Sequence, residues 1–140
     1  MTSAAPRILL IEDDASIRRF VRLALEDEGW QVFESETARR GLIEAASRQP
    51  DAVVLDLGLP DADGKTVIAE LRGWSQLPIL VLSAREREVL SLYAAGLEIP
   101  DIGRTLYITE NSVKEYLKRI RAKYTQVDRP ANNKLDLLRR

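Results

Sequence analysis

The stretch DAVVLDLGLPDADG, residues 51–64, decides the fold class of this chain. Residues 52–57 form a continuous apolar run that contains a single acid, Asp56, and the turn formers Pro60 and Gly64 follow it. Such a run is typical of a strand that is buried on both faces of a parallel sheet. Asp56 would then lie near the carboxyl end of the strand, where open α/β sheets bind ligands. The alternative is an acid that merely caps a helix or a turn.

A second acidic cluster favours the ligand-binding interpretation. Residues 8–11 are apolar, and Glu12, Asp13 and Asp14 follow them directly. If both runs are adjacent strands, their acids meet at one edge of the sheet. Clustered carboxylates repel one another unless a cation lies among them, and Mg²⁺ accepts such oxygen ligands. The sequence therefore predicts a magnesium site at this edge.

Strand and helix patterns alternate along the first part of the chain. Strands are predicted over residues 7–12, 30–34, 52–57 and 77–82, and helices over 15–28, 37–48 and 65–72. This alternation predicts an α/β fold with a flavodoxin-like, doubly wound parallel sheet of about four strands.

The second part of the chain differs in charge and in pattern. Residues 1–83 hold 9 Lys or Arg against 14 Asp or Glu, whereas residues 84–140 hold 12 against 8. This asymmetry indicates an acidic module joined to one that binds a polyanion. A helix is predicted from residue 84 to a stop at Gly96, and further helices over 99–106, 110–124 and 130–138.

The predicted helix over 110–124 has two unlike faces. Val113, Leu117 and Ile120 form an apolar face, and the opposite face is basic. A basic helix face is most often simply solvated. Because two short helices precede this one, we interpret it as a recognition helix that contacts DNA.

Three segments of the first part resemble the receiver domain of two-component response regulators, most closely the KdpE-type branch. They are ILLIEDD (8–14), LDLGLPD (55–61) and PILVLSA (78–84), with RRF (18–20) and ALE (24–26) as further matches. The resemblance implies that Asp56 is the phosphoacceptor for a sensor histidine kinase and that Ser83 is the switch hydroxyl that follows the phosphoryl group. The implied Mg²⁺ ligands are Glu12, Asp13, Asp56 and the Gly58 carbonyl.

The second part resembles the LuxR/NarL-type helix-turn-helix. The matching segments are SAREREVL (83–90), AGL (95–97), Ile102, ITENSVKEYL (108–117) and IRAKY (120–124). The residues that this resemblance implies for contact with double-stranded DNA are Asn111, Ser112, Lys114, Lys118 and Arg121. The chain departs from the pattern at Tyr116, where the family often has His, and at Pro100-Asp101, which replace a polar pair.

The two resemblances join abruptly at Ser83. A receiver continues with a helix, a fifth strand that ends in Lys-Pro, and a last helix, but this sequence contains no Lys-Pro pair. We interpret residues 1–83 as an incomplete receiver and residues 84–140 as a LuxR-type domain fused to it, as in a chimera. Ser83 and Glu86 also form a capping-box pattern, so capping a helix is an alternative role for the Ser83 hydroxyl.

A rival interpretation assigns residues 84–126 to the missing receiver parts, with a fifth strand over 105–109 and no DNA binding. The basic helix face and the helix-turn-helix match favour a DNA-binding transcriptional response regulator instead. The chain has no Cys and no His, which argues against a catalytic enzyme and leaves self-dephosphorylation as the one candidate chemistry.

The sequence also gives expectations about localisation and assembly. Without a signal peptide or an apolar run of transmembrane length, a cytoplasmic protein with no membrane partner is expected. Loss of a fifth strand would leave residues 77–82 as an open apolar edge and uncover one face of the sheet. Either the helices after Ser83 fold back onto the sheet or two chains pair, and a homodimer is favoured because it would also suit two DNA half-sites.

Overall fold

The computed structural model describes residues 5–123 of the 140-residue chain. In chain order the elements are β1 (Arg7–Ile11), α1 (Ala15–Asp27), β2 (Gln31–Ser35), α2 (Ala38–Arg48), β3 (Ala52–Leu55), α3 (Gly64–Arg72), β4 (Ile79–Val81), α4 (Ala84–Ala94) and α5 (Ile99–Leu106). A last helix, α6, covers residues 110–123 of the described part. Each of these elements was predicted, with ends that differ by a few residues. The helix predicted over 130–138 lies outside the described residues.

The four strands form one parallel sheet in the order β2-β1-β3-β4. The central strands β1 and β3 are the two apolar runs, and all four residues of β3 are buried. The chain runs from β1 to β2 on one side and then crosses to β3 on the other side of β1, so the direction of the strand order reverses at β1. This reversal opens a crevice at the carboxyl ends of β1 and β3.

Two helices cover one face of the sheet. Helices α2 and α3 bury Ala45, Val67 and Leu71 against Leu9 and Leu55 of the central strands. Strand residues alternate between the two faces, so Leu9 and Ile11 face this layer while Ile8 and Leu10 face the other.

The other face is covered by α1 and by the helices that follow Ser83. Leu90 of α4 and Ile120 of α6 belong to the same buried cluster as Leu80 and Leu82 at the last strand. Phe20 of α1 and Tyr93 of α4 make an edge-to-face ring contact with centroids 5.6 Å apart. Of the two arrangements expected for this face, the described residues therefore form the one in which the helices fold back. The homodimer stays a prediction.

Helices α4, α5 and α6 also form a core of their own. Val89, Ile102 and Val113, one from each helix, are fully buried against one another. Val89 and Leu90 are adjacent in sequence, and neighbours on a helix point about 100° apart. Helix α4 is consequently shared, since Val89 packs in the helical core and Leu90 packs on the sheet.

A tight turn connects α5 to α6. Tyr107 adopts the left-handed conformation (φ 57°), and the Ile108 N–H donates to the Gly103 carbonyl, which ends α5. The Thr109 hydroxyl then accepts from the Ser112 N–H at 3.1 Å and caps α6. A Cβ at position 103 would lie 2.8 Å from the Ile108 carbonyl oxygen, so the turn requires glycine there.

This turn makes the rival interpretation wrong on its central point. The proposed fifth strand over 105–109 is divided between the end of α5 and the turn, and the described sheet has four strands. The exposed edge of β4 is instead contacted by α6, where the Lys123 ammonium donates to the Val81 carbonyl at 3.0 Å and pairs with Glu86. Within residues 5–123, none of the helices is both long enough and apolar enough to cross a membrane.

Candidate functional site

The acidic site is built by two backbone hydrogen bonds beyond the ends of the central strands. The Asp56 N–H donates to the Ile11 carbonyl, and the Glu12 N–H donates to the Ser35 carbonyl. These bonds continue the sheet by one residue and place both acids side by side. Ligand atoms of Glu12, Asp13 and Asp56 lie within 4.8 Å of one another, as the sequence predicted.

The loop after β1 is held in place by α1. The Arg18 guanidinium donates to the carbonyls of Glu12 (3.1 Å) and Asp13 (3.0 Å). Asp14 accepts from the Ile17 N–H and caps α1, and its own N–H donates to the Glu12 carboxylate. Of these three consecutive acids, Asp14 therefore has a structural role, whereas Glu12 and Asp13 face the site.

Asp56 has one satisfied and one unsatisfied oxygen. Its side chain is 3 % exposed. Oδ1 accepts from the Gly58 N–H at 2.9 Å, whereas Oδ2 is buried without a hydrogen-bond partner in the described structure. A buried carboxylate oxygen with no donor is costly unless a cation or a reacting group uses it. This orphaned oxygen and the neighbouring carboxylates fit a hard divalent cation such as Mg²⁺.

Burial determines the direction of the pKa shift for two of the three acids in the cluster. It raises the pKa of Glu12 to about 7 and raises the pKa of Asp56 as well. Burial alone would also raise the pKa of Asp13, but hydrogen bonds with Glu12 and Asp56 and the charge of Arg87 outweigh it, so that pKa lies below its ordinary value. The three acids share a crowded negative site in which a cation favours the ionised forms.

Arg87 of α4 is the basic residue that lies in the site, and the sequence did not predict it there. Its Nη2 is 2.7 Å from Glu12 Oε2 and 2.9 Å from Asp13 Oδ1, and its Nε is 3.2 Å from Asp56 Oδ1. These contacts raise the pKa of the guanidinium still further. The sequence offered only an indirect signal for this role of Arg87. Because the chain lacks the Lys-Pro pair, the positive charge that balances the acid cluster must come from another residue.

Ser83 and Gly58 make contacts in the structure that differ from their predicted roles as switch hydroxyl and metal ligand. The Ser83 hydroxyl accepts from the Glu86 N–H, while the Ser83 N–H donates to the Glu86 carboxylate, which completes the capping box of α4. This is the alternative that the sequence left open, and the switch role of Ser83 stays a prediction. Gly58 contributes its N–H to Asp56, and its carbonyl as a metal ligand also stays a prediction.

The five predicted DNA-contacting residues lie on α6. Asn111, Lys114, Lys118 and Arg121 are exposed and recur at helical spacing on the side opposite buried Val113 and Ile120. Ser112 is half-buried, and its hydroxyl accepts from the Thr109 hydroxyl at 3.0 Å. The fold-back of α4 and α6 onto the sheet therefore leaves the basic face of α6 open to solvent.

A shallow pocket lies beside this face. It has a volume of about 250 Å³, and its lining residues are Asn111, Ser112, Glu115, Tyr116 and Arg119. The Arg119 guanidinium lies over the Tyr116 ring at 5.3 Å, so the residue that replaces the usual His holds a neighbouring basic side chain.

Comparisons with known proteins agree with both halves of the chain. The family model described as the response regulator receiver domain matches residues 8–102. The chain belongs to this family. A second family model, described as bacterial regulatory proteins of the luxR family, matches residues 80–129. Both models include α4, the helix that packs in two cores. The predicted combination of a receiver and a LuxR-type helix-turn-helix is confirmed.

Curated relatives support the predicted branch. The KDP operon transcriptional regulatory protein KdpE of Escherichia coli is 58% identical over 81 residues, which are 58% of this chain and 36% of the relative. The transcriptional regulatory protein KdpE of Mycobacterium tuberculosis is 40% identical over 116 residues, 82% of this chain and 49% of the relative. The chain spans about half or less of the length of these relatives.

Solved structures of receiver domains share the fold. The BeF3-activated receiver domain of Klebsiella pneumoniae RstA has a TM-score of 0.53 and 30% identity, covering 64% of this chain and 79% of that one. The response regulator TrrA of Thermotoga maritima in complex with Mg(2+)-BeF has the same TM-score and identity, covering 65% and 82%. Both comparisons confirm the predicted flavodoxin-like α/β class.

Proposed function

We propose that this chain is a DNA-binding transcriptional response regulator of a two-component phosphorelay, and that it acts in the cytoplasm. The observation that carries the proposal is the presence, in one chain, of a buried aspartate with an orphaned oxygen at the sheet edge and an exposed basic helix in a helix-turn-helix. The proposed units are residues 1–83 for the receiver part and 84–140 for the DNA-binding part. Two copies would bind as a homodimer to two half-sites.

In the proposed reaction, a sensor histidine kinase donates the phosphoryl group. The P–N bond of its phosphohistidine breaks, and a P–O bond forms to a carboxylate oxygen of Asp56. Glu12, Asp13, Asp56 and the Gly58 carbonyl would hold Mg²⁺, which when bound offsets negative charge on the group in transfer. Ser83 would follow the phosphoryl group only by leaving its cap on α4. The chain itself is proposed to act as a regulator rather than as an enzyme.

The phosphorylation half is tested with acetyl phosphate or beryllofluoride on the full chain. Because the usual Lys is missing, we expect modification of Asp56 to be slow or to switch DNA affinity weakly. Mass spectrometry measures phosphorylation, and Asp56→Ala must abolish it. A large change in DNA affinity or oligomer state on treatment, lost in Asp56→Ala, would contradict the weak switch. Phosphorylation retained in Asp56→Ala would refute the phosphoacceptor assignment.

The DNA half is tested by binding assays at several salt concentrations. Lys118→Ala should weaken binding to all sequences and flatten the salt dependence, as for a phosphate contact. Asn111→Ala and Lys114→Ala should reduce the preference for the specific site, as for contacts to base edges. Arg85→Ala is a matched control, because Arg85 is a partly exposed arginine on α4 that pairs with Glu88. Unchanged binding in all three α6 variants would refute the recognition-helix assignment.

A further inference from the structure

We infer that Arg87 is a resident counter-ion of the acid pocket that competes with the divalent cation, so that cation binding and docking of α4 oppose each other. The inference rests on the metal site proposed above. It adds a link between that site and the helical unit that carries the proposed DNA-binding face.

The Arg87 guanidinium contacts all three carboxylates of the acid pocket. Its Nη2 lies between Glu12 Oε2 and Asp13 Oδ1, at 2.7 and 2.9 Å, and its Nε reaches both Glu12 Oε1 and Asp56 Oδ1 at 3.2 Å. Arg87 therefore uses oxygens of all three carboxylates that could hold a metal. Mg²⁺ needs its ligand oxygens at about 2.0–2.1 Å around one centre. The guanidinium contacts both Glu12 oxygens, Asp13 Oδ1 and Asp56 Oδ1, so a cation that takes these oxygens as ligands must displace Arg87. Asp56 Oδ2 has no hydrogen-bond partner that must first be displaced.

Burial makes this competition strong. The side chains of Glu12 and Asp56 are 4 % and 3 % exposed, and that of Arg87 is 29 % exposed. In such surroundings a charge is screened much less than at the surface. Two cations next to each other in the pocket would repel, and both would need the same carboxylate oxygens. Exchange of Arg87 for a divalent cation is the arrangement that keeps the acids paired in both states.

Because Arg87 belongs to α4, its displacement by a cation affects how α4 docks on the sheet. Arg87 lies in the first turns of α4, directly after the capping-box residue Glu86, so its backbone is fixed relative to the helix. When Arg87 leaves the pocket, α4 loses its ionic contacts with the sheet edge. It keeps the apolar contact of Leu90 and the ring contact of Tyr93. Docking of α4 is then weakened rather than abolished.

Helix α4 transmits this change because it belongs to two cores. Val89 packs against Ile102 and Val113, which lie on the other helices of the helix-turn-helix. A looser α4 therefore loosens the whole three-helix unit relative to the sheet, including the exposed basic face of α6. Binding of a cation in the acid pocket would thus change the position of the proposed DNA-binding helices even without phosphorylation of Asp56.

The first test is calorimetric titration of the full chain with Mg²⁺. Arg87→Met removes the charge and keeps much of the length of the side chain, and we expect it to bind Mg²⁺ about tenfold more tightly. Arg85→Met is the matched control, because Arg85 lies two residues earlier on the same helix and pairs with Glu88 instead. We expect its Mg²⁺ affinity to stay within about twofold of the parent.

The Mg²⁺ titrations distinguish failure of the competition by Arg87 from failure of the metal site itself. Equal Mg²⁺ affinity of the parent and a folded Arg87→Met variant would overturn the competition and leave the metal site standing. Absence of Mg²⁺ binding in the parent, Arg85→Met and Arg87→Met would refute the metal site, and the inference with it.

A second measurement needs no variant and covers the case in which Arg87→Met fails to fold. Hydrogen exchange of the α4 amides, followed by mass spectrometry in the parent chain, should become faster when Mg²⁺ is added. Exchange in β1 and β3, which lie in the central sheet, should stay unchanged. Slower or unchanged exchange in α4 at saturating Mg²⁺ would overturn the inference.

Discussion

Leu90→Ala tests whether α4 covers the sheet. Leu90 is 1% exposed and lies in the cluster that contains Leu80, Leu82 and Ile120. Two of these neighbours belong to the last strand region and cannot close a void without distorting the sheet, so most of the cavity would remain. A substitution of this kind costs about 3 kcal/mol. With a urea m-value of about 2 kcal/mol per M, the midpoint of unfolding should fall by about 1.5 M.

Tryptophan fluorescence provides the assay. The chain has two tryptophans, and Trp74 is 51% exposed whereas Trp30 is buried in the same cluster as Leu90. In a Trp74→Phe background the signal reports on Trp30. Leu23→Ala is the matched control, because Leu23 on α1 is 59% exposed and its loss should change stability by less than about 0.5 kcal/mol.

The refuting result for this prediction is specific. If Leu90→Ala lowered the free energy of unfolding at Trp30 by less than about 1 kcal/mol, with an unchanged m-value, Leu90 would not be packed on the sheet in solution. The fold-back of the helices would then be wrong, and the case for two chains covering each other's sheet would return.

Two further predictions concern the helices after Ser83. Burial alone would raise the pKa of Glu86, but its hydrogen bonds with Lys123 and Ser83 outweigh burial and hold that pKa below its ordinary value of 4.5. The stabilisation is therefore complete above that value and is lost as the pH falls through the lower folded-state pKa. In urea titrations at several pH values, Glu86→Gln should remove this part of the acid dependence of stability, and Glu88→Gln should not. Equal pH dependence of stability in both variants would contradict the pairing of Glu86 with Lys123. Gly103→Ala should destabilise the helical unit by about 1–3 kcal/mol in thermal melts, because the new Cβ would lie 2.8 Å from a backbone oxygen, and an unchanged melting temperature would contradict the tight turn.

The sheet could be predicted because its signals are local. Apolar runs without alternation specify buried parallel strands, and an acid directly after β1 and after β3 places carboxylates at one edge. The fourth strand was predicted over 77–82 and forms over Ile79–Val81. Pro78 explains part of the difference, because its carbonyl accepts from Val53 but it has no N–H to donate.

The contacts that complete the site could not be predicted, because they depend on how α4 docks. In sequence, Val89 and Leu90 read as one apolar stripe, and nothing local indicates that each enters a different core. The same docking brings Arg87 to acids that are more than seventy positions earlier in the chain. Exposure of Asn111, Lys114, Lys118 and Arg121, in contrast, follows from the periodicity of α6 alone.

The shared helix also explains how the four-stranded sheet of the described residues is closed. A fifth strand and a last receiver helix were expected to cover the edge of β4 and the face beside α1. Here Lys123 of α6 pairs with the edge carbonyl of Val81, and Leu90 of α4 fills the face. Both lie in the segment that matches the luxR family model, so these helices complete the core of the receiver sheet. Arg87 and Leu90 lie on one helix, so within the described residues α4 connects the acid pocket to the contact that closes the sheet.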